Sequence, residues 1–296
     1  MPLTTIGLIF AGIAALGYTA ASFFLKSALG KGAKAAQVNL CANLGVAMVV
    51  QPLWFIQSPE IPNAPLILPA MACLTFFAGQ VFTFAALSSG DVSVATPLLG
   101  TKIILVTALN ALLFSVPIPG RWWIAAVAAS LATAIIAGGI RGWKGNGVGR
   151  TIIFSFTAAS FFSLTDVLVQ HWAGKYDPLA FLPTMFGGVG LVAILYYLIV
   201  DRSAFLISAR TAPSLAVGAT LLGLQCGLVF LALAWSRDAT AVNVVYSLRT
   251  LMSVLCAWAF GRWFGLGEAT TSRKIMLQRT IGALLLFGAV LLILMN

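Results

Sequence analysis

Charged residues are scarce in this 296-residue chain. Asp, Glu, Lys and Arg make up 8% of its residues, against about 25% in a soluble globular domain. It has one histidine, no glycine-rich phosphate loop ending in Lys-Ser or Lys-Thr, and four cysteines without metal-site spacing. These absences argue against a soluble protein, an enzyme, a cofactor and a metal centre.

Hydrophobic residues, in contrast, make up 60% of the chain, and the mean hydropathy is +1.02. This composition indicates an all-α integral membrane protein, placed by expectation in the cell (inner) membrane. The net charge is +10, but the basic residues lie in short links between apolar runs. That position suits membrane lipid headgroups rather than nucleic acid. We interpret the first apolar stretch, which lacks a basic leader, as a retained helix and not a signal peptide.

Apolar runs of about 20 residues, the length that spans a bilayer, predict ten transmembrane helices. We place them at 4–25, 36–56, 66–87, 92–114, 122–140, 151–171, 179–200, 214–234, 239–260 and 275–295. The glycine-rich link 141–150 separates two five-helix halves, residues 1–145 and 146–296. An odd number of helices in each half means that the second half enters the membrane from the opposite face.

The two halves show an internal repeat. A shift of 147 residues superimposes Asp91-Val-Ser-Val-Ala-Thr on Asp238-Ala-Thr-Ala-Val-Asn and Lys102 on Arg249. Gln80 and Gln225 also fall at nearly the same depth of corresponding helices. We therefore predict two inverted repeats, an arrangement that places substrate near the membrane midplane.

The distribution of basic residues predicts the orientation of the helices. Twelve Lys and Arg follow odd-numbered predicted helices, and three follow even-numbered ones. The positive-inside rule puts the twelve in the cytoplasm and both termini outside.

The whole chain resembles the drug/metabolite transporter superfamily, and within it the EamA-type transporters. The resemblance lies in the short hairpin link Ser88–Asp91, the segment from Ala232 to Glu268, and Ile281-Gly-Ala-Leu-Leu-Leu-Phe-Gly-Ala in the last helix. The chain departs from the family at Pro117-Ile-Pro-Gly120, where members often carry Gly-Glu. Members are also usually drawn with both termini in the cytoplasm, so the resemblance and the charge count disagree on orientation.

Lys102 and Arg249 are the leading site candidates, because a cation at the bilayer centre is expensive, by about 2.5–3.5 kcal/mol on insertion scales. We expect the pair to hold a carboxylate or phosphate of a substrate. The resemblance adds that organophosphate and nucleotide-sugar members use basic residues on these helices. A structural ion pair is the alternative, and Asp166 is the one clearly intramembrane acid. Asp166 is expected either to pair with a cation, to couple a proton to transport, or to lie at the interface.

Further polar residues at similar depth would complete a polar cavity, although each alone could simply bond neighbouring helices. They are Tyr18, Asn39, Asn43, Gln80, Gln225, Asn243, Tyr246 and Ser253.

The predicted function is a secondary transporter of a small polar metabolite, an organic anion or zwitterion, that works by alternating access. Its partners would be that substrate, membrane lipids and a coupled proton or exchanged solute. The alternatives are an exporter of amino acids or amphipathic drugs whose cations serve structure, and a non-transporting scaffold or lipid-binding subunit.

Overall fold

The computed structural model is built of α-helices joined by short links. It describes residues 3–56, 65–89, 95, 98–136, 148–260 and 273–295, and no strand occurs among them. The helices, in chain order, are α1 (Leu3–Gly30), α2 (Ala35–Val50), α3 (Ile67–Ser89), α4 (Lys102–Phe114), α5 (Gly120–Ile136), α6 (Val148–Tyr176), α7 (Pro178–Val200), α8 (Ala212–Ser236), α9 (Ala239–Tyr246), α10 (Leu248–Phe260) and α11 (Arg273–Leu294). Two 3₁₀ turns, Gln51–Phe55 and Arg202–Phe205, follow α2 and α7.

Seven helices in the described part of the chain are long and apolar enough to cross a membrane, and α4 and α5 are shorter apolar helices. A helix forms its backbone hydrogen bonds internally, and this is necessary in a bilayer because lipid chains offer no hydrogen-bonding groups. Long apolar side chains such as Met48, Leu112 and Ile199 are correspondingly exposed on the helix surfaces. These features agree with a multi-pass membrane protein.

Two helices that the sequence predicts as continuous differ in the structure. The predicted helix 239–260 is divided at Ser247 into α9 and α10. The predicted helix 92–114 contains a turn at Gly100–Thr101, and α4 begins only at Lys102. Hydropathy cannot reveal either division, because the residues on both sides are equally apolar. The first division comes directly before Lys102, and the second lies two residues before Arg249.

The helices form two compact units. The first comprises Met1–Phe77 and Leu168–Arg237, and the second Ala78–Val167 and Asp238–Asn296. Each unit therefore takes residues from both halves of the sequence, and helices α3 and α6 each contribute to both units.

In the first unit, α8 packs closely against α1 and α2. A side-chain carbon on Gly223 would lie 2.6 Å from the carbonyl oxygen of Gly45, so glycine is required at that crossing. At one end of the unit, the Lys31 ammonium donates to Ser214 Oγ (2.7 Å) and the Lys34 ammonium to Ser203 Oγ (3.2 Å). These bonds bring together two links that carry predicted cytoplasmic charges.

In the second unit, α5 and α11 run antiparallel. Arg121 donates to the carbonyl of Met295 (2.6 Å) at one end, and Gln278 donates to the carbonyl of Ile135 (2.8 Å) near the other. Gly282 faces Ile136 so closely that an added carbon would lie 2.6 Å from it. This pair supports the site described below, because α5 also packs against α4, α9 and α10.

Several sequence features lie outside the described residues. They are Gly90 and Asp91 of the hairpin link, the centre of the glycine-rich link, and the Gly267-Glu268 turn.

Candidate functional site

A buried ion pair lies in the second unit. Lys102 Nζ is 2.7 Å from Asp166 Oδ2, and the two side chains are 17% and 1% exposed. Asp166 lies on α6 four residues past its midpoint, about 6 Å along the axis. A lone carboxylate at this depth would be strongly disfavoured, so the ammonium is its necessary counter-ion. Of the two cations, Lys102 is the one that contacts Asp166 in this structure.

The turn before α4 and the adjacent part of α6 hold Lys102 in place. Ser163 Oγ on α6 shares its proton between the carbonyl of Lys102 (3.1 Å) and that of Ala159 in its own helix (2.7 Å), which places the backbone of α4 against α6. The ammonium also lies 5.9 Å from the centre of the Phe162 ring, within the range of a cation–π contact. Gly79 on α3 leaves room for that ring, since a side-chain carbon there would lie 2.8 Å from it.

Asn243 connects Asp166 to the second divided helix. Its amide nitrogen donates to Asp166 Oδ2 (2.7 Å) and to the carbonyl of Ala239 (2.8 Å). One Asp166 oxygen therefore accepts from both Lys102 and Asn243, while Asn243 is anchored to its own helix. The network joins α4, α6 and α9.

Arg249 has different surroundings. Its guanidinium carbon lies 4.3 Å from the centre of the Tyr246 ring, and Nη1 donates to the Tyr246 hydroxyl at 3.0 Å. Both residues lie on one helical face across the division at Ser247. The aromatic ring and its hydroxyl therefore orient the planar guanidinium, a group whose fork of N–H donors matches a carboxylate or phosphate.

Lys102 and Arg249 line one cavity of about 30 Å³ within the second unit. Its lining residues are Leu99, Gly100, Lys102, Ile103, Thr133, Asn243, Tyr246, Ser247, Arg249 and Thr250. Lys102 and Ile103 lie in the first turn of α4, and Arg249 and Thr250 in the first turn of α10, so two helix N-termini border the cavity. Helix N-termini carry partial positive charge and attract anions. The volume suits one or two water molecules.

Hydroxyl groups mark both helix divisions. Thr101 Oγ1 donates to the carbonyl of Leu98 (2.6 Å), and Ser247 Oγ donates to the carbonyl of Val244 (2.5 Å). Backbone bonds of the tighter i−3 type accompany them, from Thr101 to Leu98 and from Thr250 to Ser247. Side-chain bonds of this kind bend helices, and a short 3₁₀ stretch within a helix often marks a hinge.

The predicted site residues do not all belong to this cavity. Asn243, Tyr246, Lys102 and Arg249 line it, and Asp166 contacts Lys102. Gln80 on α3 and Ser253 on α10 belong to the same unit and are half-buried, but they are not lining residues.

Tyr18, Asn39, Asn43 and Gln225 belong to the first unit. Asn43 donates to the side-chain and backbone oxygens of Asn39, which is the helix-internal role expected of a lone asparagine. Gln225 is buried where α8 meets Gly17 of α1. Tyr18 is half-buried on α1.

Sequence reasoning missed the residues that act through the backbone. Ser163 bonds the carbonyl of Lys102, and Ser130 Oγ on α5 donates to the carbonyl of Gly100 at 3.1 Å. The sequence did contain one usable signal, since a glycine followed by a threonine inside an apolar helix favours a turn. Nothing in the sequence distinguishes Ser163 or Ser130 from other serines within apolar helices.

Asp238 begins α9 and caps it. Its side chain accepts from the backbone N–H of Ala241 at 3.0 Å. Burial of this carboxyl raises its pKa to about 6, against the opposing effect of the backbone hydrogen bonds from Ala241 and Thr240. The helix that carries Asn243 and Tyr246 therefore starts at a group that titrates near neutral pH.

Comparison with known proteins identifies the fold but not the family. No protein-family model and no curated protein matches the chain. A crystal structure of another protein is similar over 97% of this chain and 95% of its own, with a TM-score of 0.77 and 13% identity. At that identity the likeness concerns the fold alone.

Proposed function

We propose that this protein is a secondary transporter for a small organic anion or zwitterion in the cell membrane, working by alternating access. The observation that carries the proposal is the cavity at which two cations and two helix N-termini meet. A membrane protein has little reason to place so much positive charge in one buried place unless a negative group is bound there.

The chemistry of the cavity fits a carboxylate or phosphate. Arg249, oriented by Tyr246, offers a bidentate fork, and Lys102 offers a point charge. Two divided helices whose N-termini point to one site are a recurring arrangement for anionic substrates in transporters. The same divisions occur at corresponding positions of the sequence repeat, which supports ten spans in two inverted five-helix repeats and the resemblance to EamA-type transporters.

A cavity of about 30 Å³ is too small for a metabolite, since ligand sites usually measure about 300–1,000 Å³. Transport therefore requires the cavity to open. The divisions at Gly100–Thr101 and Ser247 are suitable hinges, because each lies within two residues of one of the cations. Movement at these positions would change access to the cavity and the positions of Lys102 and Arg249 at the same time.

One observation favours a second candidate. Lys102 is already neutralised by Asp166, which suits an exporter of amino acids or amphipathic drugs in which this cation serves structure. A non-transporting scaffold or lipid-binding subunit is a further alternative, and it predicts that the protein takes up no solute. The candidates differ in the charge of the cargo and in the role of Arg249.

Uptake by proteoliposomes tests the proposal. Reconstituted protein is screened with neutral, zwitterionic and anionic radiolabelled metabolites, and Arg249→Gln is compared with Arg150→Gln. Arg150 lies exposed in the first turn of α6, so its loss removes the same charge away from the cavity. We expect Arg249→Gln to reduce anion uptake more than tenfold and Arg150→Gln to leave it within twofold.

Equal loss in both variants would point to a general effect of surface charge. Full uptake by Arg249→Gln would remove the proposed site and favour structural cations. Neutral solutes that compete as well as anions would favour the drug or amino-acid exporter, and no uptake of any solute would favour the scaffold.

A further inference from the structure

Lys102 presents two sides to its surroundings. On one side Lys102 lines the cavity. On the other side it contacts Asp166, which is 1% exposed and does not line the cavity. We infer that Asp166 is a positioning residue that sets the charge preference of the site, so that anions with one negative charge bind in preference to anions with two. This inference rests on the anion transport proposed above.

The geometry allows Lys102 to serve Asp166 and a ligand simultaneously. An ammonium has three N–H donors, and one of them is directed to Asp166 Oδ2 at 2.7 Å. A ligand oxygen at about 2.8 Å on another N–H would lie about 4.5 Å from Asp166 Oδ2 by tetrahedral geometry. The ligand is therefore attracted by the ammonium and repelled by the carboxylate behind it.

The repulsion cancels a large part of the attraction. Coulomb energy falls as the inverse of distance, so a charge at about 4.5 Å offsets about 60% of an opposite charge at about 2.8 Å. The attraction grows in proportion to the ligand charge, whereas the desolvation penalty of an ion grows with its square. A weakened field therefore disfavours divalent anions more than monovalent ones.

Asn243 keeps the carboxylate in place while a ligand binds. Its amide donates to the same Asp166 oxygen at 2.7 Å and is itself anchored to Ala239. Asp166 thus retains a donor if Lys102 turns partly towards the cavity. The same geometry makes Asp166→Asn a conservative test, because an amide oxygen can accept from both Lys102 and Asn243 while the negative charge is removed.

The experiment uses two anions of equal carbon number, propionate and malonate, which carry one and two negative charges at pH 7.5. Dissociation constants for the purified full chain come from thermal unfolding across a concentration series of each anion. We expect Asp166→Asn to shift the ratio of the two constants towards malonate by about tenfold. The matched control is Asp201→Asn, which removes a carboxylate that caps a surface turn through the Ser203 N–H, and it should leave the ratio within twofold.

The outcomes separate this inference from the transport proposal. An unchanged ratio in Asp166→Asn, with anion binding still reduced by Arg249→Gln, would overturn the role of Asp166 and leave the proposed function standing. An equal shift in Asp201→Asn would also overturn it, since the preference would then follow net charge. Absence of binding of both anions to every form of the protein would overturn the inference about Asp166, whereas the uptake measurement described above decides on the transport proposal.

Discussion

Lys102 and Arg249 occupy equivalent positions in the sequence repeat but have unlike surroundings. The ammonium of Lys102 is bound to the buried carboxylate of Asp166. The guanidinium of Arg249 lies over the Tyr246 ring. Each cation follows a helix division, but the side chains that contact the two cations differ.

This difference indicates a division of roles between the two cations. A charge that a buried partner compensates contributes to the cohesion of the second unit, because breaking such a pair leaves an unpaired ion in an apolar setting. A guanidinium that lies over an aromatic ring is held in one orientation, which suits the anion-binding role proposed for Arg249. The sequence repeat alone would assign the two residues one shared role.

The largest expected effect follows from breaking the Lys102 side of this comparison. Lys102→Gln leaves Asp166 without its cation and should lower the free energy of unfolding by about 3–5 kcal/mol. Arg249→Gln loses the cation–π contact and the hydrogen bond to the Tyr246 hydroxyl and should lower it by less, about 1–2 kcal/mol. Denaturant unfolding in detergent, followed by tryptophan fluorescence, measures both.

A double variant provides the control. Lys102→Gln combined with Asp166→Asn removes both charges of the pair and should recover most of the lost stability. Equal losses in the two single variants, or no recovery in the double variant, would contradict the proposed division of roles.

The sequence predicted an integral membrane protein and most helix positions. A run of about 20 apolar residues between polar links specifies a membrane span regardless of the order of those residues. It also predicted a polar cavity around Lys102 and Arg249, and Asn243 and Tyr246 are the two of the eight further polar residues that line the cavity in the structure.

The partner of each cation could not be predicted. Asp166 was equally compatible with Lys102 and Arg249, and only the rotation of α6 about its axis decides between them. The assignment of Asn39, Asn43 and Gln225 to the first unit has the same cause, because depth along a helix says nothing about which neighbour a face meets. Single hydroxyl–carbonyl bonds accompany the divisions at Thr101 and Ser247, and such bonds are too local for hydropathy to detect.

An intermediate effect is expected from Asp238, which caps the helix on the Arg249 side. Its pKa is raised to about 6 by burial, so the neutral acid is favoured in the folded protein. Its contribution to stability is complete below about pH 4 and is lost as the pH rises through 6. Between pH 4 and 7 the wild type should therefore lose about 2 kcal/mol more than Asp238→Asn, which cannot titrate.

The control for this pH dependence is Asp201→Asn. Hydrogen bonds from Ser203 hold the pKa of Asp201 below its ordinary value. The contribution of Asp201 to stability is therefore lost only at pH values below those at which Asp238 titrates. Its replacement should leave the slope between pH 5 and 7 unchanged. A wild-type slope that persists in Asp238→Asn would show that another group titrates.

The smallest expected effect concerns the divisions that both cations follow. Ser247→Ala removes a hydroxyl bond to the Val244 carbonyl worth about 0.5–1 kcal/mol, but alanine favours a continuous helix, so stability should change by less than about 0.5 kcal/mol. The matched control Ser160→Ala removes a similar bond, to the Phe156 carbonyl, in the undivided helix α6. If the hydroxyl produces the division, amide hydrogen exchange around Ser247 should slow in Ser247→Ala, while exchange around residue 160 stays constant in Ser160→Ala. Unchanged exchange at residue 247 would mean that packing of α9 and α10 against α5 sets the division, and the hinge would then depend on both helices and not on one side chain.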